Sequence, residues 1–210
     1  MEKGRLILAS GSPWRAECLR RAGIRFEKIV LPTDEAELQK KFKHKGVTLG
    51  QAQEYCETLA RAKQEPYRRV RREKNIVSAG DMFENDCVVT ADGVAYCDGV
   101  ILEKALTPEK CIEQHRFISG KTNYALTAVC VSYMGKTVTD TMISPNTVAT
   151  LPLGVIERIS TEPETLQAAG YRLQGLIGEY CTIDPRDRDN INGLCAEHLK
   201  RVLEMVGYKI

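Results

Sequence analysis

The sequence predicts an α/β fold, because short apolar segments alternate with amphipathic helical segments along the chain. Residues 6–9 form an uninterrupted apolar run, which is typical of a buried strand. Pro13 opens an amphipathic segment and Gly23 closes it, which predicts a helix between them. Farther along, residues 123–133 and 136–147 predict the two strands of a long hairpin that turns at Met134-Gly135.

The composition is that of an ordinary globular protein. Of the 210 residues, 43% are hydrophobic and 28% are charged, and we assign residues 1–210 to a single domain. The formal net charge of +2 does not favour nucleic acid or an acidic membrane as a partner. No apolar run has membrane-spanning length, and residues 6–9 are too few for a signal-peptide core. We therefore expect a cytoplasmic protein without a membrane partner.

The eight cysteines do not form a recognisable metal or redox motif. No two of them are spaced as C-x-x-C, and the chain has only three histidines. This spacing argues against a zinc site or a redox dithiol. In the absence of a secretory signal we expect the cysteines to be reduced.

A small polar turn, Ser10-Gly11-Ser12, separates the first predicted strand from the first predicted helix. The free backbone N–H groups and the dipole at a helix N-terminus favour an anion there. Arg15 lies in the first helical turn, where a cation opposes the helix dipole, so an anion explains it better than helix stability does. The alternative interpretation is an ordinary strand–turn–helix in which Ser12 is simply a good cap.

Two ionisable side chains occupy unusual positions. Lys63 lies near the apolar stripe of a helix predicted over residues 49–64, although its stem could cover apolar surface while its head reaches water. Asp92 follows the strand predicted over residues 86–91, at a place where α/β proteins put ligand groups. The competing interpretation of Asp92-Gly93 is a hairpin turn that ends the strand.

Three further polar segments are candidates for function. Asp34 and Glu35 place two carboxylates in a loop after the second predicted strand. Residues 68–74 form a basic run, which predicts a solvated loop or helix end, with a nucleic-acid patch as the alternative. Residues 169–175 form a glycine-bounded loop in which Gln174 carries the one amide side chain.

Taken together, these segments resemble the Maf-like nucleoside triphosphate pyrophosphatases over nearly the whole chain, and they keep the order of that family. The matching segments are Leu8-Ala9-Ser10-Gly11-Ser12-Pro13-Trp14-Arg15, Asp34-Glu35, Leu59-Ala60-Arg61-Ala62-Lys63, Ala91-Asp92, Lys104, Ile118-Ser119-Gly120, Ala169-Gly170-Tyr171-Arg172-Leu173-Gln174-Gly175 and Asn190-Ile191-Asn192-Gly193-Leu194. No single motif is very specific, but their joint order makes chance a poor explanation.

The resemblance implies a strongly twisted mixed sheet with flanking helices, arranged as two lobes around a cleft as in the inosine triphosphate pyrophosphatases. It also implies hydrolysis of a nucleoside triphosphate substrate to the monophosphate and pyrophosphate. A divalent metal, Mg²⁺ or Mn²⁺, and in many members a homodimer belong to the same implication.

The resemblance further implies a role for each candidate residue. The implied substrate-binding residues are Ser10, Gly11, Ser12, Trp14, Arg15, Gly93 and Gln174. The implied catalytic residues are Asp92, Lys63 and Lys104, and the implied metal ligands are Glu35 and Asp92. These residue types suit the chemistry, since phosphates need cations and hard carboxylate oxygens suit Mg²⁺ or Mn²⁺. Asp92 could serve as a metal ligand, as the base for the attacking water, or as both.

Three positions depart from the family pattern. Trp14 stands where the family usually has its first arginine, Gly93 replaces a threonine, and Ala105 replaces a proline. An indole at position 14 can stack on a base, and a positively charged base adds a cation–π contribution; the alternative is core packing. The family branch that acts on 7-methylguanosine triphosphate also has tryptophan here, whereas Gln174 matches the pyrimidine-preferring branch. We therefore expect 7-methylguanosine triphosphate, UTP or dTTP to be preferred over ATP or GTP.

Two other functions stay open at this point. With its changed Asp-Thr motif, the chain could bind nucleotides without turning them over. It could also be a basic nucleic-acid-binding protein that uses residues 68–74, which salt-sensitive binding would reveal.

Overall fold

The computed structural model describes residues 4–33, 36–73, 85–168 and 170–210. In these residues one sheet is formed by β1 (Leu6–Leu8), β2 (Glu27–Lys28), β3 (Cys87–Cys97), β4 (Val100–Leu102), β5 (Thr122–Tyr133), β6 (Lys136–Val148) and β7 (Cys181–Thr182). The helices are α1 (Pro13–Arg21), α2 (Ala36–Lys40), α3 (Leu49–Ala62), α4 (Glu65–Glu73), α5 (Pro108–Ile118), α6 (Leu153–Ile159), α7 (Pro163–Leu166), α8 (Arg188–Ile191) and α9 (Ala196–Val206). Two short 3₁₀ helices span Leu176–Tyr180 and Pro185–Asp187.

The sheet is mixed, with the strand order β2-β1-β3-β5-β6-β7, and β4 pairs with β3 as well. β1 runs parallel to both β2 and β3, while the other pairs are antiparallel. The predicted long hairpin is confirmed as β5–β6, which turns at Met134 and Gly135, both with positive φ. The α/β prediction and the mixed sheet implied by the resemblance are both confirmed.

The middle of β3 lies beside a gap in the sheet. β1 pairs with β3 only as far as Val89, and β4 pairs with the same edge only from Ala95 onward. β5 pairs with the opposite edge without a break from Val88 to Tyr96. Between these two points none of the described strands covers the first edge, so Asp92 and Gly93 lie where the sheet opens.

The expected strand end at Asp92-Gly93 is wrong. Both residues pair with β5, and this pairing holds the dipeptide extended inside one continuous strand. The turn occurs instead at Asp98 and Gly99, which have φ values of 43° and 79° and join β3 to β4. Cross-strand pairing with a long neighbour therefore overrides the local turn preference of an Asp-Gly pair.

The helix ends predicted from local sequence are confirmed, because capping depends on neighbouring residues only. Ser12 caps α1 with Pro13 at the first helical position, as predicted. Thr48 and Gln51 form the complete capping box that opens α3. Gly207 ends α9 in the left-handed conformation with φ of 84°.

Buried apolar clusters lie on both faces of the sheet and define two lobes. One cluster joins α1 and α9 to β1, with Leu19 and Leu199 fully buried. A second joins α5 and α6 to β4, with Ile118 and Ile159 fully buried, and a third places α3 over β3 and β5. None of the described helices is long and apolar enough to cross a membrane.

Some polar segments differ from expectation. The second strand, expected over residues 26–31, is limited to the two residues of β2. The basic run is helical in α4 as far as Glu73, while Lys74 lies outside the described residues. All eight cysteines are free, as expected for reduced thiols.

Candidate active site

An open cleft of about 870 Å³ lies between the two lobes, next to the gap beside β3. It is lined by ten of the residues predicted for the site: Ser10, Gly11, Ser12, Trp14, Arg15, Lys63, Asp92, Gly93, Lys104 and Gln174. The remaining predicted residue, Glu35, and its neighbour Asp34 lie outside the described residues. The fold thus collects residues that are far apart in sequence into one cavity of nucleotide size.

The turn before α1 keeps two backbone donors available. Ser10 Oγ accepts the N–H of Ser12 at 3.2 Å, and Ser12 Oγ accepts the N–H of Arg15 at 3.4 Å. In the described part of the chain, the N–H groups of Gly11 and Trp14 meet no acceptor, and they stand at the positive end of the helix dipole. Space is open where Gly11 would carry a Cβ, so an anion can approach this backbone closely.

Arg15 extends from this turn across the cleft. Its Nη1 donates to Ser10 Oγ at 3.2 Å, and its Nε donates to the carbonyl oxygen of Gly193 at 3.1 Å. Both acceptors are neutral, and no carboxylate of the described residues forms an ion pair with this guanidinium. Arg15 is half-buried and links two elements, so it differs from the exposed cation of an ordinary capped helix.

Lys63 and Asp92 form an ion pair at the floor of the cleft. Nζ of Lys63, the residue that caps the C-terminus of α3, lies 3.0 Å from Oδ2 of Asp92. Their side chains are only 19% and 14% exposed. Oδ1 of Asp92 accepts the N–H of Gly93 at 2.8 Å, which fixes the carboxylate plane. The lysine head therefore does not simply reach water, which was the alternative interpretation.

Buried hydrogen bonds hold the end of α3 over this carboxylate. Gln64 Nε2 donates to the carbonyl oxygens of Val88 at 3.0 Å and of Cys130 at 2.8 Å. Thr90 Oγ1 donates to the carbonyl oxygen of Ala60 at 2.7 Å. Because these bonds tie the helix to β3 and β5, they set the position of the neighbouring Lys63 relative to the strand.

The thiol beneath the ion pair takes no part in the chemistry that the cleft can perform. Cys56 Sγ lies 3.6 Å from the carbonyl oxygen of Asp92 and 3.5 Å from that of Leu126. Burial, with a smaller contribution from the charge of Asp92, raises the pKa of this thiol to about 12. Cys56 therefore stays protonated and acts as packing.

The opposite wall of the cleft carries two more cations, Lys104 and Arg172, neither of which forms an ion pair with any described residue. The charged side chains that line the described cleft are Arg15, Lys63, Lys104, Arg172, Asp92 and Glu164. Four are cationic and two anionic, so the cavity attracts a polyanion.

Two of the side chains that line the cleft are exposed and carry a flat aromatic or amide group, Trp14 and Gln174. Trp14 is 40% exposed, so the core-packing interpretation of the indole is wrong. Gln174 is exposed as well, and its Nε2 donates to Oδ1 of Asn192. An exposed indole can stack on an aromatic ring, and an amide can hydrogen-bond to the polar edge of a base.

Gly93 is a glycine that the backbone does not require. Its φ lies outside the left-handed region, and an added Cβ would make ordinary contacts of 3.7–3.8 Å with Leu126, Thr127 and Arg15. The missing side chain therefore leaves open space in the cleft next to Asp92 and the guanidinium.

Comparison of the sequence with known proteins identifies the family of this chain. The family model described as Maf-like protein matches residues 5–206. This chain belongs to the Maf-like family. It is 32% identical to the dTTP/UTP pyrophosphatase of Neisseria gonorrhoeae over 97% of this chain and 95% of that protein. It is 28% identical to the protein of that name from Koribacter versatilis, over 96% and 94% of the two chains, and 30% identical to that of Escherichia coli, over 82% and 78%.

Sequence reasoning missed several residues of this Maf-like cleft. Arg172 and Asn192 line the cleft and lie inside segments that carry the resemblance. Each could have been predicted as a site residue, because it is a cation or an amide in such a segment. Tyr67 of α4 also lines the cleft, and its hydroxyl donates to the carbonyl oxygen of Ile29 at 2.7 Å and accepts the N–H of Leu31 at 3.0 Å. No local sequence pattern indicates Tyr67, because its partners are distant in the chain.

Proposed function

We propose that this Maf-like chain hydrolyses a pyrimidine nucleoside triphosphate, UTP or dTTP, to the monophosphate and pyrophosphate. The observation that carries this proposal is the Lys63–Asp92 pair, whose side chains are 19% and 14% exposed, at the floor of a cleft whose other cations form no ion pair with any described residue. The relatives named above act on dTTP and UTP, and they supply the substrate class.

The charges of the cleft suit the triphosphate. The N–H groups of Gly11 and Trp14 and the guanidinium of Arg15 converge at the start of α1, where they can hold phosphate oxygens. Lys104 and Arg172 line the facing wall and can neutralise the remaining charge. A triphosphate that spans the cleft would place its scissile bond near Asp92.

In the proposed reaction water attacks the α-phosphorus, and the bond to the oxygen that bridges the α- and β-phosphorus atoms breaks. Asp92 takes the proton from this water, and pyrophosphate leaves with the bond electrons. Lys63, held 3.0 Å from Asp92, stabilises the charge that develops on the phosphoryl oxygens. The N–H of Gly93 keeps Oδ1 in place, so Oδ2 is the oxygen left for chemistry.

A divalent cation, Mg²⁺ or Mn²⁺, is part of this proposal. Among the described residues, no three His, Cys, Asp or Glu side chains are close enough to form a metal site alone. Oδ2 of Asp92 nevertheless fits as a ligand, because it is buried in the cleft wall and, apart from its ion pair, meets no aligned donor among the described residues. Mg²⁺ is commonly held by one or two carboxylates plus substrate phosphates, so Asp92 and Glu35 would suffice. A bound cation would shield the phosphate charges and polarise the reacting phosphoryl group.

A panel of nucleoside triphosphates tests the proposal. The protein is incubated with Mg²⁺ or Mn²⁺ and UTP, dTTP, 7-methylguanosine triphosphate, CTP, ATP or GTP, and monophosphate and pyrophosphate are quantified. We expect equal amounts of UMP and pyrophosphate from UTP, and no turnover with EDTA. Binding of UTP without product would instead indicate a nucleotide-binding module. Preference for the methylated purine would shift the substrate class, and the exposed Trp14 is the feature that favours that second candidate.

The homodimer, which rests on the family resemblance, and the cytoplasmic location, which is an expectation from the sequence, are the remaining parts of this proposal. Sedimentation of the purified chain tests the first, and fractionation of cells that express it tests the second.

A further inference from the structure

Three buried polar side chains form a cluster that reaches the cleft through Tyr171. Asn123 of β5 and Asn146 of β6 are paired directly across the two strands, so their side chains lie next to each other on one face of the sheet. Both asparagines are 0% exposed, and Tyr171 is 8% exposed. Burial raises the pKa of the Tyr171 phenol, and the neighbouring Asn146 side chain lowers it by a smaller amount. The two amides and the phenol are therefore neighbours.

Most polar atoms of this cluster have no hydrogen-bond partner of good geometry among the residues that the structure describes. These atoms are Nδ2 and Oδ1 of Asn123, Oδ1 of Asn146 and the hydroxyl oxygen of Tyr171, and all four are closed to bulk solvent. The exception is Nδ2 of Asn146, which donates to Sγ of Cys181 at 3.4 Å. Buried polar atoms are nearly always bonded to protein or to ordered water, because an unbonded one destabilises the fold. The cluster therefore requires a ligand.

The chemistry of these atoms identifies the ligand as water. Nδ2 of Asn123 and the protonated phenol of Tyr171 are donors, whereas the Oδ1 atoms of the two asparagines are acceptors. A metal ion would satisfy the acceptors only, and an anion would satisfy the donors only. A water molecule donates and accepts, and a buried water typically makes about three hydrogen bonds to groups of this kind.

Tyr171 connects the cluster to the cleft, which it lines. Its side chain packs in the same apolar cluster as Val148 and Ile177, which are 1% and 0% exposed. The preceding Gly170 has a φ of 78° and approaches β3 so closely that an added Cβ would lie 2.8 Å from Cβ of Ala95. The backbone end of Tyr171 is thus held against the sheet, and its hydroxyl end lies in the polar cluster.

We propose that Asn123, Asn146 and Tyr171 bind at least one ordered water molecule inside the protein, and that this water holds the Tyr171 side chain in place as part of the cleft wall. The water site does not depend on the proposed function, because no nucleotide takes part in it. The effect on the cleft wall does rest on the proposed function, because a bound nucleotide reports it. Asn123 and Asn146 are positioning residues in this scheme.

The water is detected directly, without nucleotide. Magnetic relaxation dispersion of the solvent counts the water molecules that stay inside a protein for longer than its tumbling time. Leucine has the shape of asparagine without its polar atoms, so we expect Asn123→Leu to hold at least one such water fewer than the wild type. A crystal structure of the wild type should show the water within about 2.7–3.2 Å of Asn123 and of the Tyr171 hydroxyl.

Tyr96→Phe is the matched control, because it removes a phenol that already has a protein partner. The Tyr96 hydroxyl donates to the carbonyl oxygen of Val47 at 3.1 Å, and Tyr96 is not among the residues that line the cleft. Its variant should keep the number of long-lived waters of the wild type.

A shared water also couples side chains that do not bond to each other. Tyr171→Phe removes one partner of the water and should lower the melting temperature by about 2–4 °C. In an Asn123→Leu background the same change should lower it by less than half of this amount, because the hydroxyl has already lost its water. Side chains without a shared partner give shifts that add.

Steady-state kinetics with UTP measures the effect on the cleft wall. Asn123 does not line the cleft, so an effect of Asn123→Leu on the nucleotide has to pass through Tyr171. We expect Asn123→Leu and Tyr171→Phe each to raise KM by about threefold and to leave kcat unchanged, because neither touches the Lys63–Asp92 pair. The double variant should raise KM no further, and Tyr96→Phe should keep the KM of the wild type.

A direct hydrogen bond between the two asparagine amides, with no water at the Tyr171 hydroxyl in the wild-type crystal structure, would overturn the water site even if no variant folds. Equal water counts in the wild type and Asn123→Leu would contradict it as well. A water site with an unchanged KM in both variants would refute the positioning role. If the wild type does not hydrolyse UTP, the proposed function fails, while the crystal structure and the water count still decide whether the water site exists.

Discussion

At the end of the cleft that we propose to be reactive, buried hydrogen bonds hold the Lys63–Asp92 pair in place. At the end that we propose to receive the base, the side chains of Trp14 and Gln174 are exposed. Gln64 and Thr90, which fix α3 against the sheet, are 1% and 0% exposed. Trp14 is 40% exposed, and Asn192 is the one described partner of the Gln174 side chain.

Because of this difference, the two ends of the cleft should respond differently to substitution. Moving Lys63 relative to Asp92 would break bonds in the interior, and an unpaired buried polar group costs about 1–3 kcal/mol. Changing an exposed side chain at the other end breaks at most one bond and disturbs no core packing. Substitutions at the base end should therefore change which nucleotide is used, and substitutions at the reactive end should change how fast any nucleotide is used.

The largest expected effect comes from removing the charge of Asp92. Asp92→Asn keeps the shape of the side chain and the bond from the Gly93 N–H, but it removes the proposed base and metal ligand. We expect turnover of every accepted nucleotide to fall by at least about a hundredfold, with binding kept in part. Steady-state pyrophosphate release measures the loss, and thermal stabilisation by nucleotide measures the binding.

Asp98→Asn is the matched control for this change. Asp98 also pairs with a lysine, Lys121 at 2.9 Å, but it lies at the β3–β4 turn outside the cleft. Its variant should keep wild-type turnover. Near-normal turnover in Asp92→Asn would mean that the buried pair is structural.

The sequence predicted the reactive end more completely than the base end, for a physical reason. Ser10, Gly11, Ser12 and Arg15 are neighbours in the chain, so cap and dipole rules apply to them directly. The Lys63–Asp92 contact was not foreseen as an ion pair, because it depends on the packing of α3 over β3. The strand end expected at Asp92 failed because pairing with β5 is invisible to local rules.

At the base end, the contacts that matter join distant residues. Gln174 was predicted from its segment, but its partner Asn192 comes from a turn that only the tertiary fold brings near. Arg172 was passed over because a cation in a loop has no periodic signature, and its place in the cleft wall appears only in the structure. Glu35 stays a prediction, since it lies outside the described residues.

A smaller effect is expected from Arg15→Ala, which acts on binding at the reactive end. The guanidinium gives up two bonds to neutral acceptors, Ser10 Oγ and the Gly193 carbonyl oxygen, so folding should lose only about 1–2 kcal/mol. Loss of a charge-assisted phosphate contact should weaken nucleotide binding by about ten- to a hundredfold. The melting temperatures with and without UTP separate these two quantities.

Arg20→Ala on the same helix controls for the loss of a surface arginine, because Arg20 pairs with Glu17 and is not among the residues that line the cleft. It should leave the nucleotide-induced shift unchanged. A shift of wild-type size in Arg15→Ala, or a collapse of the apo protein, would identify Arg15 as a structural link between α1 and the turn at Gly193.

The smallest effect, and the one that best sharpens the contrast between the two ends, is expected from Trp14→Arg. An exposed indole can be replaced without opening a cavity, so the apo melting temperature should stay close to that of the wild type. Loss of stacking and of the cation–π contribution should reduce kcat/KM for 7-methylguanosine triphosphate relative to UTP by about three- to tenfold. The ratio of UTP to dTTP should not change, because both are neutral pyrimidines that stack alike.

Met205→Arg, at another exposed apolar residue outside the cleft, provides the control and should alter neither ratio. Competition assays with paired nucleotides in one reaction measure these ratios directly. If the ratio of 7-methylguanosine triphosphate to UTP keeps its wild-type value in Trp14→Arg, the indole does not contact the base, and Gln174 is left as the candidate for that contact.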